Sequence, residues 1–273
     1  MNRTKSHQTA KEYHAAPGAS ASRLRKFEVS PAHMKWAMDH PAPPTPAMVI
    51  GSAVHTAVLE PDLLDQEWGR IPYGDGRSKA VKDAKAKLTE LYGADRILKP
   101  EAFDAVIGMR DAVLGNELAC QLLDNAETEA SYYWTDAKSG VDCKARLDLI
   151  VGNPMLPRWE RCVVDLKTTA DASPKEFQRS AYNMGYHLQM AHYLAASERE
   201  RFVFIVVEHE PPHCVAIYEL DNDALALGRA DRQHLLYRWA MCEEDEAVGF
   251  ANPWPGFPAD VQELSLPGWA YTR

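Results

Sequence analysis

The sequence predicts an α/β fold in which a β-sheet flanked by helices stands behind a helical N-terminal layer. Three observations predict it. Residues 20–124 are dominated by helix-forming residues at helical spacing. From residue 129 the period changes, and three strand-like segments follow in succession. After them the chain alternates helix, two strands and helix, the order of an α/β core.

The elements follow in order. Residues 1–19 are polar, with few large apolar groups, and predict a flexible arm. Residues 20–40 read as short helices, with Ser20 or Ser22 as cap and Pro31 starting a second turn or helix. "HPAPPTP" (40–46) is a stiff connector, and "AMVIGSAVHTAVLEP" (47–61) is apolar on nearly every side and predicts a buried helix. Residues 62–77 read as a loop, and 78–92 and 100–124 as helices. "EASYYWTD" (129–136), "VDCKARLDLIVG" (141–152) and "RCVVDLKTT" (161–169) predict strands, separated by "AKSG" and "NPMLPRWE". One long helix is expected over 174–197, strands over 201–210 and 213–221, and a helix over 222–247. The Pro- and aromatic-rich tail, 248–273, is expected to pack on the body. The boundaries are therefore an arm (1–19) and a single domain (20–273) with a helical part 20–127, an α/β core 128–247 and the tail.

Composition narrows the function classes. The chain has 273 residues, 46% hydrophobic and 25% charged, as in an ordinary globular protein. No apolar run approaches the ~20 residues that span a bilayer, and the N-terminus lacks the apolar core of a signal peptide. Five cysteines, an odd number without a CxxC pair, point to free thiols in a reducing compartment, hence the cytoplasm. The same spacing does not provide four iron–sulfur ligands, and no phosphate-binding ATPase loop is present. The net charge of −9 argues mildly against a nucleic-acid partner, although a local basic groove can sit on an acidic body.

The stretch that carries chemistry is "CVVDLKTTADAS" (162–173). Residues i and i+2 of a strand share a face, so Asp165 and Lys167 point the same way at the end of an apolar run. Asp148 closes "CKARLD" one strand earlier. If the strands are antiparallel neighbours, the two carboxylates approach and repel, and a hard cation such as Mg²⁺ relieves that repulsion. Waters on the cation and a nearby ammonium then form a kit for phosphodiester hydrolysis. A D-x-K pair alone is more often a surface ion pair. In the following helix, Tyr186, Gln189 and Tyr193 fall on one face at i, i+3 and i+7, either as packing or as residues reaching the site. Lys144 and Arg146 share a face with Asp148 by alternation. They are candidates for phosphate contact, or members of a salt-bridged sheet face.

Taken together, "SPAHMKW", "GSAVHTAVLEP", "ETEASYYWTDAKSGVDCKARLDLI", "VVDLKTTADASPKEF" and "YNMGYHLQMAHYL" resemble the PD-(D/E)XK nuclease superfamily, in its RecB-like branch with G-x-x-x-H and Q-x-x-x-Y helices. More narrowly they resemble the RecE-type exonucleases (exodeoxyribonuclease VIII) of phages and prophages. The stretches span about residues 30–194 in the family's order; Leu147-Asp148 stands where the name-giving Pro-Asp would be. The resemblance implies a PD-(D/E)XK core with a central mixed sheet. It implies Asp148, Asp165, the Leu166 carbonyl and His55 as metal ligands, Lys167 as catalytic lysine, and Gln189 and Tyr193 as holding the DNA end or the lysine. Glu129 is a candidate for a further acidic or structural member, and Lys144, Arg146 and Tyr186 are candidate DNA contacts. The cofactor implied is Mg²⁺, with Mn²⁺ also suited to an imidazole ligand. The activity implied is 5′ to 3′ digestion of one strand of linear duplex DNA, leaving 3′ single strands. An annealing protein of the RecT or Bet type would take these up in a bacterial or phage-infected cell. A ring-like homo-oligomer is implied as well. The rival readings are a structure-specific or single-strand nuclease of the same superfamily, and a non-catalytic DNA-binding descendant.

Overall fold

The computed structural model describes residues 3–152, 155 and 162–266. The connection expected over 153–160 therefore lies, apart from Met155, outside the described residues, as do the last seven residues of the tail. The helical N-terminal part comprises α1 (Ala10–Ala15), α2 (Ala21–Val29), α3 (Pro31–Asp39), α4 (Pro46–Leu59), α5 (Leu64–Glu67), α6 (Lys79–Tyr92), α7 (Pro100–Gly115) and α8 (Glu117–Leu123). Its starts are chemically marked. Ser20, Ser30 and Thr45 each accept a hydrogen bond from a first-turn backbone N–H, and Pro31 and Pro46 occupy first positions that need no donor.

The sheet contains β1 (Arg3–Ser6), β4 (Glu127–Thr135), β5 (Asp142–Ile150), β6 (Cys162–Thr169), β7 (Arg201–Glu208) and β8 (Val215–Glu219), in the order β1-β4-β5-β6-β7-β8. All neighbours are antiparallel except β6 and β7, so the sheet is mixed. The parallel pair is joined by α9 (Pro174–Asn183) and α10 (Tyr186–Ser197), the helical crossover that parallel strands require. A two-stranded ribbon, β2 (Gly69–Arg70) with β3 (Ile97–Leu98), flanks α6. The last helix is α11 (Asn222–Ala247).

Two apolar layers clasp the sheet. Leu24 and Phe27 of α2, Leu188 and Leu194 of α10, and Leu235 and Trp239 of α11 pack together with Val163 of β6. Val54 and Val58 of α4, with Val106 and Met109 of α7, pack with Val164 and Leu166 of the same strand. The strand alternates its side chains between the layers, as period 2 demands. Trp254 of the tail sits edge-on to Phe27 and Trp239.

Residues 62–77, expected as a loop, carry α5 and β2, and the structure corrects the sequence reading in four further places. Residues 3–19 are not a free arm. Strand β1 pairs along the β4 edge, and α1 starts with a reciprocal cap in which Thr9 and Glu12 satisfy each other's backbone N–H groups. The second correction explains the first. Lys144 is no phosphate contact: it is buried, and its Nζ donates to the carbonyls of Tyr13 at 2.7 Å, His14 at 3.3 Å and Ala16 at 2.5 Å. Backbone acceptors at the end of α1 thus solvate a buried ammonium, and they come from the segment whose scarcity of apolar groups suggested mobility. Third, the helix expected over 174–197 breaks at Gly185, whose φ of +70° is left-handed and whose Cβ, if present, would lie 2.8 Å from Cδ of Arg25. Fourth, the helix expected over 100–124 divides at Asn116, which caps α8 by accepting from Ala119 N.

Candidate active site

The site forms where β5 and β6 part. Their antiparallel register runs Ile150↔Val163 and Leu149↔Val164 and then stops. Continued by one residue, it sets Asp148 opposite Asp165. In place of the next ladder bond, Asp148 Oδ2 accepts from Leu166 N at 2.9 Å. A carboxylate has replaced a carbonyl in the ladder, and the strands open around two acidic groups, both buried.

Each group has a defined partner. Asp165 is ion-paired with Lys167 and accepts at Oδ1 from Gln189 Nε2 at 2.8 Å. Lys167 lies 4.9 Å from the centroid of the Tyr186 ring. From α4, His55 sets Nε2 2.8 Å from the Leu166 carbonyl oxygen and Nδ1 3.5 Å from Asp148 Oδ2. Glu129 stands opposite Asp148 on β4 and has a φ of +54°, rare for a residue with a side chain. The ladder pairs Thr128↔Leu149 and Ala130↔Leu147 around it but skips the Glu129–Asp148 position. The kink carries its carboxylate to Arg146 Nε at 2.8 Å. Ligand atoms of His55, Glu129 and Asp148 all lie within 4.8 Å of one another.

The electrostatics record a surplus of negative charge. Burial, then the Asp148 charge, pushes Glu129 up to about 8 against the opposing pull of Arg146. Burial pushes Asp165 up to about 6, with Lys167 opposing and Asp148 adding. Burial alone would discharge Lys167, but the Asp165 and Asp148 carboxylates outweigh it and hold its pKa above the usual value, so it is an ammonium. Half-buried Glu60, just past α4, adds a further negative field at Glu129. Sequence reasoning did not single out Glu60; its only signal is an acidic residue closing the apolar "HTAVLEP" run.

The sequence-predicted residues thus meet, with different roles. Asp148, Asp165, the Leu166 carbonyl, His55 and Lys167 converge, and Glu129 joins them. Gln189 holds Asp165. Tyr193 lies next to Gln189, with burial raising its hydroxyl well above the usual phenol, so it keeps its proton. Tyr186 packs on Lys167, and Arg146 is paired with Glu129. Lys144 lies apart from the site, under α1.

The donor set fits a hard divalent cation. Three carboxylates and a carbonyl supply oxygen, and one imidazole supplies nitrogen. His55 Nδ1 and Asp148 Oδ2 face each other at 3.5 Å, so both can turn a ligand atom toward one cation.

Residues 20–249 match the model of the family described as "PDDEXK-like domain of unknown function (DUF3799)". Among solved structures, a provisionally assigned exonuclease from Eubacterium rectale is similar, at 15% identity and a TM-score of 0.57, over 85% of this chain and 83% of that one. A phage-related exonuclease from Haemophilus somnus 129PT aligns more loosely, at 14% identity and a TM-score of 0.33, over 68% of this chain and 94% of that one. No curated protein sequence matches the chain.

Proposed function

This chain belongs to the PDDEXK-like family DUF3799, and we propose that it is a divalent-cation-dependent nuclease acting at the ends of linear duplex DNA. The observation that carries the reading is the opening of β5 from β6 at Asp148 and Asp165, with Lys167 paired to Asp165 beside it. Asp148, Asp165, Glu129, the Leu166 carbonyl and His55 would supply the ligands for Mg²⁺ or Mn²⁺. When bound, such an ion acts as a Lewis acid on a phosphoryl oxygen and lowers the pKa of a coordinated water.

The remaining work belongs to the chain's own groups. Lys167, held charged by two carboxylates, donates to an anionic oxygen of the phosphate or to the attacking oxygen, and stabilises charge that grows in the transition state. Tyr186 covers the lysine, and Gln189 fixes the Asp165 carboxylate by one oxygen. Both restrict the geometry in which the pair meets substrate.

End dependence, 5′ to 3′ polarity, 3′ single-stranded products, an annealing partner of the RecT or Bet type, a homo-oligomeric ring and a cytoplasmic setting rest on the resemblance to RecE-type exonucleases. The test incubates the protein and Mg²⁺ with linear duplex, covalently closed duplex and single-stranded DNA. The expected result is loss of linear duplex with survival of closed circles. Rapid nicking of circles would make the protein an endonuclease, preference for single strands would favour that rival, and cleavage of none would end the proposal.

A further inference from the structure

Helix α6 has no role in the site described, yet its charge departs from that of the whole chain. Residues 77–88, "RSKAVKDAKAKL", carry five cations and one carboxylate, in a protein of net charge −9. The helix has two faces. Val81, Ala84, Leu88 and Tyr92 are half-buried, while Lys79, Lys82, Lys85 and Lys87 are exposed. At 100° per residue, Lys79, Lys82 and Lys85 form one slanting ridge, each about 4.5 Å further along the axis. Among the described residues, none of the four lysines takes part in an ion pair, a state they share with other exposed lysines such as Lys11, Lys26 and Lys138; what sets them apart is that they are clustered on one helix.

The helix is mounted rather than loose. A Cβ on Gly69 would fall 2.7 Å from the Tyr92 ring, so only glycine lets that ring seat on β2. Tyr92 Oη donates to the Asp65 carbonyl of α5 at 3.1 Å. Next to it, Trp68 Nε1 donates to Thr56 Oγ1 at 3.1 Å, and Thr56 follows His55 in α4. The mount of α6 is thereby bonded to the helix that brings His55 to the candidate metal site.

We propose that α6 is a phosphate-contacting arm for the duplex DNA that enters this site, with Lys79, Lys82 and Lys85 as its contacts. An acidic body repels DNA, and a sequence-independent nuclease needs local cations to hold the backbone while any base passes. Lysines on a rigid helix supply point charges without base readout. The inference rests on the nuclease reading.

The test measures duplex binding in Ca²⁺ by fluorescence anisotropy across a salt series, for wild type, the triple variant K79Q/K82Q/K85Q, and a matched control, K11Q/K26Q/K138Q, at three exposed lysines elsewhere. Glutamine keeps helix propensity, and a thermal melt checks folding. The plot of log affinity against log salt should flatten by about 2 to 3 in the α6 variant, near 0.9 per contact, with binding weaker by roughly 10² to 10³-fold at ~0.1 M salt. The control should keep the wild-type slope. If the triple variant misfolds, the three single variants carry the test, each flattening the slope by about 0.9. Unchanged slope and affinity would overturn the arm while leaving the nuclease reading intact, provided the wild type binds DNA and cuts it with Mg²⁺. Equal losses in the control would overturn it too, by making net charge the cause. A wild-type protein that neither binds nor cuts DNA would overturn both readings.

Discussion

Deleting residues 1–17 should destabilise the protein substantially, because the segment that looks dispensable in sequence solvates a buried charge. The deletion removes three acceptors from Lys144 Nζ, the buried Tyr13 ring that lies 4.7 Å from that ammonium, and the strand covering the β4 edge. Hydrogen bonds to a charged group contribute about 1.5–3 kcal/mol each, though water entering the vacated space restores part of that. Losing the buried Tyr13 side chain removes a further contribution of about 2 kcal/mol. A net loss of about 3–5 kcal/mol is expected, and at about 2–4 °C per kcal/mol for a chain of this size the melting midpoint should fall by about 10 °C. The assay is thermal and urea unfolding of the full chain, the truncation and Lys144→Met. The methionine variant keeps the arm and removes the Lys144 donor from three carbonyls, of which Tyr13 O and His14 O still accept from Ala16 N and Arg23, so it should lose less, about 1–3 kcal/mol. A truncated protein melting within about 3 °C of the full chain would refute the reasoning.

Two further perturbations bear on the site. Gln189→Ala frees one oxygen of Asp165, so cleavage should fall about tenfold with the fold intact, the scale of a lost supporting contact; an unchanged rate would assign Gln189 to packing alone. Glu129 at about 8 and Asp165 at about 6 hold protons in the cation-free folded state that the unfolded chain, with ordinary carboxylates, has already lost. Folded-state pKa values are raised, so without metal this part of the stability is lost as pH climbs through about 6 and then about 8. The metal must displace those protons. Mn²⁺ affinity by calorimetry should therefore be greater at pH 8.5 than at pH 6.5, with proton release, and Glu129→Gln should flatten the upper part of that dependence; pH-independent affinity would contradict it.

The strands and the central pair were legible because they follow from local rules. Period-2 alternation puts Asp165 and Lys167 on one side of β6, and the Val163/Val164 alternation between the two apolar layers is the packing counterpart of the same rule. Ser20 and Pro31 marked helix starts by capping chemistry, whereas the sequence reading misses Ser30 and Pro46, which do the same. What else escaped depends on tertiary partners. Nothing local announces that Glu129 adopts a positive φ, since the kink is imposed from β5 and Arg146. The burial of Lys144 depends on a segment about 130 residues away. Gly185 did carry a signal, an isolated glycine inside a helical pattern, and the break there lets Tyr186 turn onto Lys167.

The central claim is that Asp165 holds a cation and Lys167 serves the reaction, and the most direct measurement is the Mg²⁺-dependent cleavage rate of linear duplex DNA by Lys167→Ala. A lysine that stabilises developing charge predicts a fall of roughly 10² or more, with duplex binding in Ca²⁺ retained. A Lys167→Ala protein that cuts at the wild-type rate would reduce the Asp165–Lys167 pair to a structural ion bridge and contradict the account.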